Sequence, residues 1–167
     1  MVNFIPKVFR LASKKQTPSA TPYEQRIKFA LENSLSGLWD WDLVTNQIYF
    51  SPRWKEMLGY SENELQGVVK EWENLIPPYD MARVKKFLND HLEGKTPFYE
   101  CEYRVICKDG SYKWVLDHGL VTSRDNSGKP LLFVSSYTDI TDHKASKEKI
   151  NSLITRFESA THAAKIG

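Results

Sequence analysis

The chain has few of the features that mark specialised classes of protein. Only two of its 167 residues are cysteine, which excludes a disulfide scaffold and favours reduced thiols in a cytoplasmic protein. No apolar run approaches the roughly 20 residues of a membrane-spanning helix. The net charge of +2 is small, and no basic stripe of the kind that binds nucleic acid is present. The composition therefore indicates an ordinary globular domain with extensions.

The basic charge is concentrated at the N terminus. Residues 1–22 contain no acidic residue and four basic ones, Lys7, Arg10, Lys14 and Lys15, so the remainder is close to neutral. The segment "ASKKQTPSATP" is small and polar and contains two prolines, which is typical of a linker. We interpret residues 1–22 as a leader and linker. A disordered tail is favoured over a short segment lying on a membrane surface.

The next part of the chain predicts a helix followed by a hairpin. "EQRIKFALENSLSG" has apolar residues at helical spacing and a stop at Gly37. Trp39 and Trp41 then alternate with aspartates, the period of a strand. Asn46 suits a left-handed turn position, and "QIYF" resumes as the partner strand.

Helix start and stop signals fill the following residues. Ser51 is a favoured N-cap before Pro52, and Gly59 predicts the end of that helix. Ser61 and Glu64 match a capping box and predict a second short helix that ends at Gly67. "VVKEWENLI" predicts a third.

A longer helix is predicted after two prolines, with Asp80 as its N-cap and Gly94 at its end. Its apolar stripe comprises Val84, Phe87, Leu88, His91 and Leu92.

The last third predicts three strands. "FYECEYRVICKDGSYKWVLDHG" has the pattern of two strands about an Asp109-Gly110 turn, and "LLFVSSYTDI" predicts a fifth strand. A tight turn sets Cys107 opposite Tyr112, Val105 opposite Trp114, Tyr103 opposite Leu116, and Cys101 opposite His118. One face is then apolar and aromatic, and the other carries a solvated charge ladder: Glu100, Glu102, Arg104, Lys113 and Asp117. Consecutive hairpins predict an antiparallel sheet with short helices on one side.

This order of elements, with these residues, resembles a PAS domain with its PAC segment. The resemblance covers residues 24–142 and is carried by "GLWDWD", "SPRWKEMLGYSENEL", "EWENLI", "EYRVICKDGSYKW", "LDHG" and "TDIT". It implies an α+β fold with a five-stranded antiparallel sheet, divided into a PAS portion at 23–97 and a PAC portion at 98–145. Many relatives have His-Pro-Asp-Asp where this chain has Pro77-Pro78-Tyr79-Asp80, so a role that depends on that histidine is absent.

Residues 146–167 carry a second signal. Apolar residues follow the alternating three- and four-residue spacing of a coiled-coil seam: Ile150, Leu153, Phe157, Ala160 and Ala164. An amphipathic helix folded onto its own domain is the alternative. "FESATHAAKIG" also resembles the start of another PAS domain, which implies the N-terminal fragment of a bacterial tandem-PAS signalling protein.

The resemblance suggests a ligand between sheet and helices, but no specific motif identifies it. Candidate pocket residues are Trp41, Trp72, His91, Tyr103 and Trp114. His91 lies where haem-binding PAS proteins place an axial histidine. A photoactive flavin site needs a cysteine between residues 71 and 90, and none is there; a non-covalently bound flavin, another small molecule or an empty core stays open.

Metal binding and catalysis find little support. Cys101 and His118 would face each other with Cys107 nearby, but nothing supplies the four ligands that zinc usually takes. No phosphate-binding glycine loop or nucleophile–base signature is present. We predict no catalytic residues. Asp40, Asp42 and the glutamates of "SENEL" have the positions of turn and cap residues.

The leading hypothesis is a cytoplasmic sensory module. Asp139, Ile140 and Thr141 would relay its state into the C-terminal helix and on to a histidine kinase or a diguanylate cyclase, the latter with or without a phosphodiesterase, in the same polypeptide. Homodimerisation through the N- and C-terminal helices is expected. The alternative is a ligand-free PAS module that only dimerises or binds other proteins.

Overall fold

A computed structural model describes Pro22, Arg26, Phe29 and Ala30, which are helical, and residues 34–166, with side chains through His162. The rest of the predicted leader and of the first predicted helix lies outside the described residues. Residues 34–166 contain five strands and four helices: β1 Gly37–Asp42, β2 Gln47–Phe50, α1 Pro52–Leu58, α2 Val69–Asn74, α3 Pro78–Leu92, β3 Tyr99–Ile106, β4 Tyr112–Arg124, β5 Pro130–Asp139 and α4 Thr141–Ile166.

The strands form one antiparallel sheet in the order β2-β1-β5-β4-β3. The last strand thus lies between the two hairpins, where Trp39 pairs with Ser135 and Gly37 with Tyr137. On its other side, Asp117 of β4 pairs with the same Tyr137. The predicted five-stranded antiparallel sheet and α+β class are confirmed.

The first hairpin and α1 form as the local sequence predicts. Asn46 has φ of 61° in the turn. The hydroxyl of Ser51 accepts a hydrogen bond from the Trp54 backbone at 3.2 Å and caps α1, which ends at left-handed Gly59. The same oxygen accepts from the Leu38 backbone at 2.9 Å, so the cap also attaches α1 to β1.

The second short helix is not formed. Residues 61–67 make a turn, although Ser61 N–H does donate to Glu64 Oε2 at 2.7 Å. The Gly67 carbonyl instead accepts from Ile48 N–H of β2 at 2.7 Å. The Glu71 carboxylate accepts from the Gly67 backbone at 2.8 Å. The Glu71 carboxylate thus takes the Gly67 N–H, which could otherwise bond to a carbonyl of the preceding turn and close a helix.

Two predicted helix boundaries are also wrong. The helix α3 begins at Pro78, with Pro77 at the N-cap position, so Asp80 lies inside the first turn and does not cap it. Gly37 does not end a helix but begins β1, after three non-helical residues. A Cβ at Gly37 would lie 2.6 Å from the Trp54 Cα, so a glycine allows β1 and α1 to pack closely.

The second hairpin is shifted by one residue from the predicted register. Cys107 N–H donates to the Ser111 carbonyl at 2.8 Å, which closes a loop of three residues in which Gly110 has φ of 82°. Val105 therefore pairs with Lys113, Arg104 with Trp114, and Cys101 with Asp117. Because side chains alternate, this shift exchanges the two faces of β4 relative to β3. Asp117 faces the core, and Trp114 faces away from it.

The core lies between the inner face of the sheet and the helices and is rich in aromatic rings. Trp39 of β1 stacks on Trp72 of α2 with centroids 5.6 Å apart, and it lies 5.3 Å from the Phe133 ring. At the other end of the core, Trp54 stacks on Phe50 at 4.1 Å. The first turns of helix α4 contact β4, and the rest of the helix extends away from the sheet.

We predict that Gly119→Ala destabilises the fold. A Cβ at this position would lie 2.6 Å from the Val134 carbonyl oxygen and 2.7 Å from Phe133 Cζ, without room to relax. Overpacking of this kind costs about 1–3 kcal/mol of unfolding free energy. Urea denaturation measures the loss. Leu120→Ala, at the exposed neighbouring position, is the control, and an equal loss in both variants would contradict the steric explanation.

Candidate functional site

A fully buried carboxylate, Asp117 of β4, lies at the centre of the inner face. Trp39 Nε1 of β1 donates to its Oδ1 at 3.1 Å, and the Tyr103 hydroxyl of β3 donates to its Oδ2 at 2.8 Å. The Ser135 hydroxyl of β5 donates to Oδ1 as well. One side chain therefore accepts hydrogen bonds from three other strands of the sheet, β1, β3 and β5.

The environment of this carboxylate shifts its protonation equilibrium toward the neutral form. Burial raises the pKa of Asp117 to about 6, even though the hydrogen bonds from Ser135, Tyr103 and Trp39 act in the opposite direction. The groups that donate these hydrogen bonds, the Trp39 indole and the Tyr103 and Ser135 hydroxyls, are all uncharged. A buried charge without a cationic partner is costly, which is why burial raises the pKa of this carboxyl.

Three buried polar atoms near the core have no hydrogen-bond partner among the described residues: Trp54 Nε1, Trp72 Nε1 and the Tyr99 hydroxyl. Burial, followed by the charge of Asp117, raises the pKa of Tyr99 well above its ordinary value, so the hydroxyl stays a donor. Unpaired buried donors cost about 1–3 kcal/mol each. A small molecule with acceptor atoms, or ordered water, would satisfy them.

The structure separates the predicted pocket residues. Trp72, His91 and Tyr103 are buried on the inner side. Trp41 is half-buried near the end of β1, where its Nε1 donates to Asn46 Oδ1 at 3.1 Å. Trp114 lies on the outer face, so it does not share a face with Tyr103 as the predicted register required.

His91 is engaged through both ring nitrogens. Nε2 accepts from the Val121 backbone N–H at 3.0 Å, so the proton resides on Nδ1, which lies 2.9 Å from the Thr96 carbonyl oxygen. This arrangement joins α3 to β4 at a place where the β4–β5 register shifts. The residues present do not fit haem, since neither nitrogen is available as an axial ligand. A flavin would require the rings of Trp39, Trp72 and Phe133, which contact one another, to separate.

The described residues hold no group of three or more histidine, cysteine, aspartate or glutamate side chains that could bind a metal ion. The predicted pairing of Cys101 with His118 is wrong, because His118 pairs with Glu100 and points to the other face. Both cysteines are free and buried. Burial raises the pKa of the Cys101 thiol to about 11, which keeps it protonated and unreactive.

Clefts open at the surface of the described domain at two places away from Asp117. One of about 430 Å³ lies between the end of α1 and the β3–β4 turn, and one of about 330 Å³ lies between α3 and the start of β3. Neither is lined by any of the five predicted pocket residues.

Comparison with known proteins identifies the family. A family model described as the PAS fold matches residues 47–137, which is more than half of the chain. The chain belongs to the PAS-fold family. It is 31% identical to a crystal structure of a sensory box histidine kinase/response regulator from Burkholderia thailandensis, with a TM-score of 0.69, over 80% of this chain and 98% of that one. The recognition made from the sequence is confirmed.

Two curated relatives are signalling enzymes. The PAS chain is 27% identical over 148 residues to the sensor histidine kinase TmoS of Ectopseudomonas mendocina, covering 88% of this chain and 15% of the relative. It is 27% identical over 162 residues to the probable diguanylate cyclase DgcE of Escherichia coli, covering 95% and 14%. The chain thus spans about one seventh of each relative's length. It is a PAS sensory domain, a non-catalytic fold, of the kind found in signal-transduction proteins.

The residues predicted to relay a signal form a compact junction in this PAS domain. The Asp139 carboxylate accepts from the Thr141 backbone at 3.0 Å and from its hydroxyl at 2.6 Å. The Thr141 oxygen accepts from Trp114 N–H at 3.0 Å, and Ile140 N–H donates to the Trp114 carbonyl at 2.8 Å. Lys113 pairs with Asp139 at 2.8 Å. Burial would raise the pKa of Asp139, but the bonds from Lys113 and Thr141 hold it below its usual range.

Beyond this junction, α4 exposes its apolar seam. Ile150, Leu153 and Phe157 are 57%, 55% and 72% exposed, so within the described residues the helix does not fold back over its own PAS core. The seam residues Ala160 and Ala164 complete the predicted spacing; the side chain of Ala164 lies outside the described part.

Sequence reasoning missed Asp117 as a core residue and assigned it to a solvated ladder. The signal that could have found it is the spacing from Gly119, which shares its face. A glycine inside a strand often marks a close approach of another group, and residues two apart in a strand share a face. Trp114, Val115 and Leu116 are all apolar, so the sequence of β4 does not show which of its two faces is buried.

We predict that Asp117→Asn changes how stability depends on pH. The folded pKa of about 6 exceeds the roughly 3.9 of an unfolded aspartate, so the folded state binds the proton more tightly. Asp117 therefore contributes stability at low pH that is lost as the pH rises through about 6. Relative to the variant, the natural chain should be about 1 kcal/mol more stable at about pH 5 than at about pH 7.5.

Urea denaturation at both pH values measures this difference. Asp125→Asn is the control, because hydrogen bonds from Ser127 and Lys129 lower the pKa of that exposed carboxyl and its contribution is lost in the opposite direction. A pH-independent difference between the natural chain and Asp117→Asn would show that Asp117 does not titrate in this range.

Proposed function

We propose that this PAS domain is the sensory module of a longer signalling protein, which binds a small ligand between sheet and helices and relays its state through α4. The observation that carries the proposal is the junction at Asp139 and Thr141, where the last strand continues into an exposed helix. A helix that is hydrogen-bonded to the sheet at its start and free further along is suited to transmit a change in the sheet.

The ligand would bind beside Asp117. The unpaired donors Trp72 Nε1 and Tyr99 OH favour a ligand with acceptor atoms, and the neutral form of Asp117 would add a donor of its own. Trp72, His91 and Tyr103 are the predicted pocket residues on this side; Trp41 lies at its edge, and Trp114 would act only from the opposite face. Binding requires the aromatic rings to separate, so we expect α2 or α3 to move.

The relay would run from β5 into α4 through Asp139, Ile140 and Thr141. These residues hold α4 to β4 by hydrogen bonds on both sides of Trp114. A shift of β5 against β4 would therefore change the geometry at the first turn of α4. The start of α4 would then have two states, one with its hydrogen bonds to Trp114 made and one with them broken.

A second copy of the chain would cover the seam on α4. The three- and four-residue spacing of Ile150, Leu153 and Phe157 matches a coiled coil, and all three are exposed. We place PAS and PAC portions at 23–97 and 98–145, followed by the signalling helix. A second PAS domain and a histidine kinase or diguanylate cyclase output would follow, in keeping with the kinase and cyclase relatives.

A cytoplasmic location is proposed as well, consistent with two free, buried thiols. No helix in the described part of the chain is long and apolar enough to cross a membrane.

A ligand-free PAS module that only dimerises is the second candidate. The contact of Trp39 with both Trp72 and Phe133 favours it, since these rings occupy the space that a ligand would need.

We expect native mass spectrometry of the freshly purified chain to detect an added small molecule. That mass should disappear after unfolding and refolding in clean buffer, because the proposed site exists only in the folded state. A mass equal to that of the sequence in every preparation, with no rise in melting temperature on adding cell metabolite extract, would favour the ligand-free module.

We expect Leu153→Lys to convert a dimer into a monomer. A buried lysine at a seam position is costly when it has no partner, so association should weaken at least tenfold by analytical ultracentrifugation. Ser152→Lys, one residue off the seam, is the matched control and should leave association unchanged. A natural chain that sediments as a monomer at high concentration would contradict the homodimer.

A further inference from the structure

The outer face of the sheet carries a group of stacked cationic and aromatic side chains: Tyr79 of α3, Arg104 of β3, Trp114 of β4 and Lys144 of α4. We call it the outer stack. The guanidinium carbon of Arg104 lies 4.2 Å from the Tyr79 ring centroid and 5.3 Å from that of Trp114. Lys144 Nζ lies 4.8 Å from the Trp114 ring. The stack therefore extends without a break from α3 to α4.

Ion pairs hold both ends of the outer stack. At the α3 end, Arg104 Nε donates to Asp80 Oδ2 at 3.0 Å, and its backbone N–H donates to the same oxygen at 3.2 Å. Burial would raise the pKa of Asp80, but its bonds with Arg104 and Arg83 outweigh this and hold it below its usual range. The carboxylate thus stays charged and fixes the Arg104 side chain.

At the α4 end, Lys144 pairs with Glu102, which is two residues from Arg104 on the same face of β3. The hydrogen bond from Lys144 lowers the pKa of Glu102. Trp114 lies between the two cations, directly opposite Arg104 in the β3–β4 register. Its ring is the one group of the stack that both cations share, so a change in the position of either cation alters the surroundings of the other.

We infer that the outer stack couples the first turn of α3 to the first turn of α4, so that displacing one helix changes the stability of the other. Helix α3 covers the inner site through Val84, Leu88 and His91. The outer stack would therefore carry a movement of α3, which covers the inner site, to α4. Only the use of this coupling in signalling rests on the proposed function. The coupling itself requires neither ligand nor dimer.

The route and the junction at Asp139 meet at Trp114 but use different atoms of it. The junction bonds the Trp114 backbone N–H and carbonyl to Thr141 and Ile140, whereas the stack uses the Trp114 ring together with side chains of α3, β3 and α4. Tyr79 contacts the Arg104 guanidinium and Lys144 contacts the Trp114 ring, so the stack links the two side chains through Arg104 and Trp114. Residues without shared partners normally act additively, which makes departure from additivity the test.

Hydrogen exchange of the full 167-residue chain, without added ligand, tests the coupling. Tyr79→Leu should lower the protection of the amides of residues 144–147 about two- to fivefold, the size expected from one partly exposed cation–π contact. Lys85→Met is the matched control. It removes a charge from the same helix and should leave those amides unchanged. Lys85 Nζ pairs with Glu73 Oε1 at a distance of 2.6 Å, and neither residue belongs to the outer stack.

Thermodynamic reciprocity provides the second arm. Lys144→Met should lower the protection of the amides of residues 81–84 by a similar factor, whereas Lys149→Met on the exposed part of α4 should not. In a Trp114→Leu background, Tyr79→Leu should have no further effect at residues 144–147. If Trp114→Leu does not fold, the two single variants and their controls decide the outcome.

The inference is overturned if Tyr79→Leu leaves residues 144–147 unchanged, or if Lys85→Met changes them equally. It is likewise overturned if Lys144→Met affects only α4. A ligand-free or monomeric chain with the expected exchange pattern would contradict the proposed function and leave the coupling intact, so the two failures are distinguishable.

Discussion

The position of β5 between β1 and β4 is the constraint on which the rest of this domain depends. It closes two separate hairpins into one sheet and sets Trp39 and Ser135 side by side above Asp117. The same strand ends beside the start of β4. There Lys113 pairs with Asp139, and the Trp114 N–H donates to the Thr141 hydroxyl. A single pairing thus assembles the inner carboxylate site and positions the outgoing helix.

The interior combines two properties that oppose each other. Large rings bury apolar area efficiently, and the contacts of Trp39, Trp72 and Phe133 fill the space between sheet and helices. The same low-polarity surroundings make the buried charge of Asp117 costly and leave the Trp72 and Tyr99 donors unpaired. Sites that give up stability in this way are often functional, which is the physical basis for the proposed sensory role of this PAS domain.

The outer face has the opposite chemistry. The side chains of Arg104, Glu102 and Lys144 are 36%, 45% and 25% exposed there, so these charged groups remain partly solvated and pair at modest cost. Arg104 stays charged in every relevant condition, and it contacts both an aromatic ring of α3 and the tryptophan that lies beneath α4. Inner and outer faces are thus linked through the same strands, whose side chains alternate between them.

Much of the fold and little of the candidate site follow from the sequence. Caps and turns are local, so Ser51, Asn46 and Gly59 are predicted correctly from their immediate neighbours. The Ser61 helix fails because Gly67 and Glu71 make bonds to distant or competing backbone groups that no local rule includes. The predicted pocket set is divided between the two faces, since Trp114 lies outside and Tyr103 inside.

The amino-acid order by itself determined the strand and helix pattern, the family resemblance and the seam of α4, because each depends on residue types at short, fixed spacing. Only the tertiary structure decided which side of β4 faces the core. The local sequence allows either a two-residue or a three-residue loop between β3 and β4. The three-residue loop is selected because it places Asp117 where donors from three other strands can bond to it. That choice moved a carboxylate into the interior and a tryptophan beneath the outgoing helix.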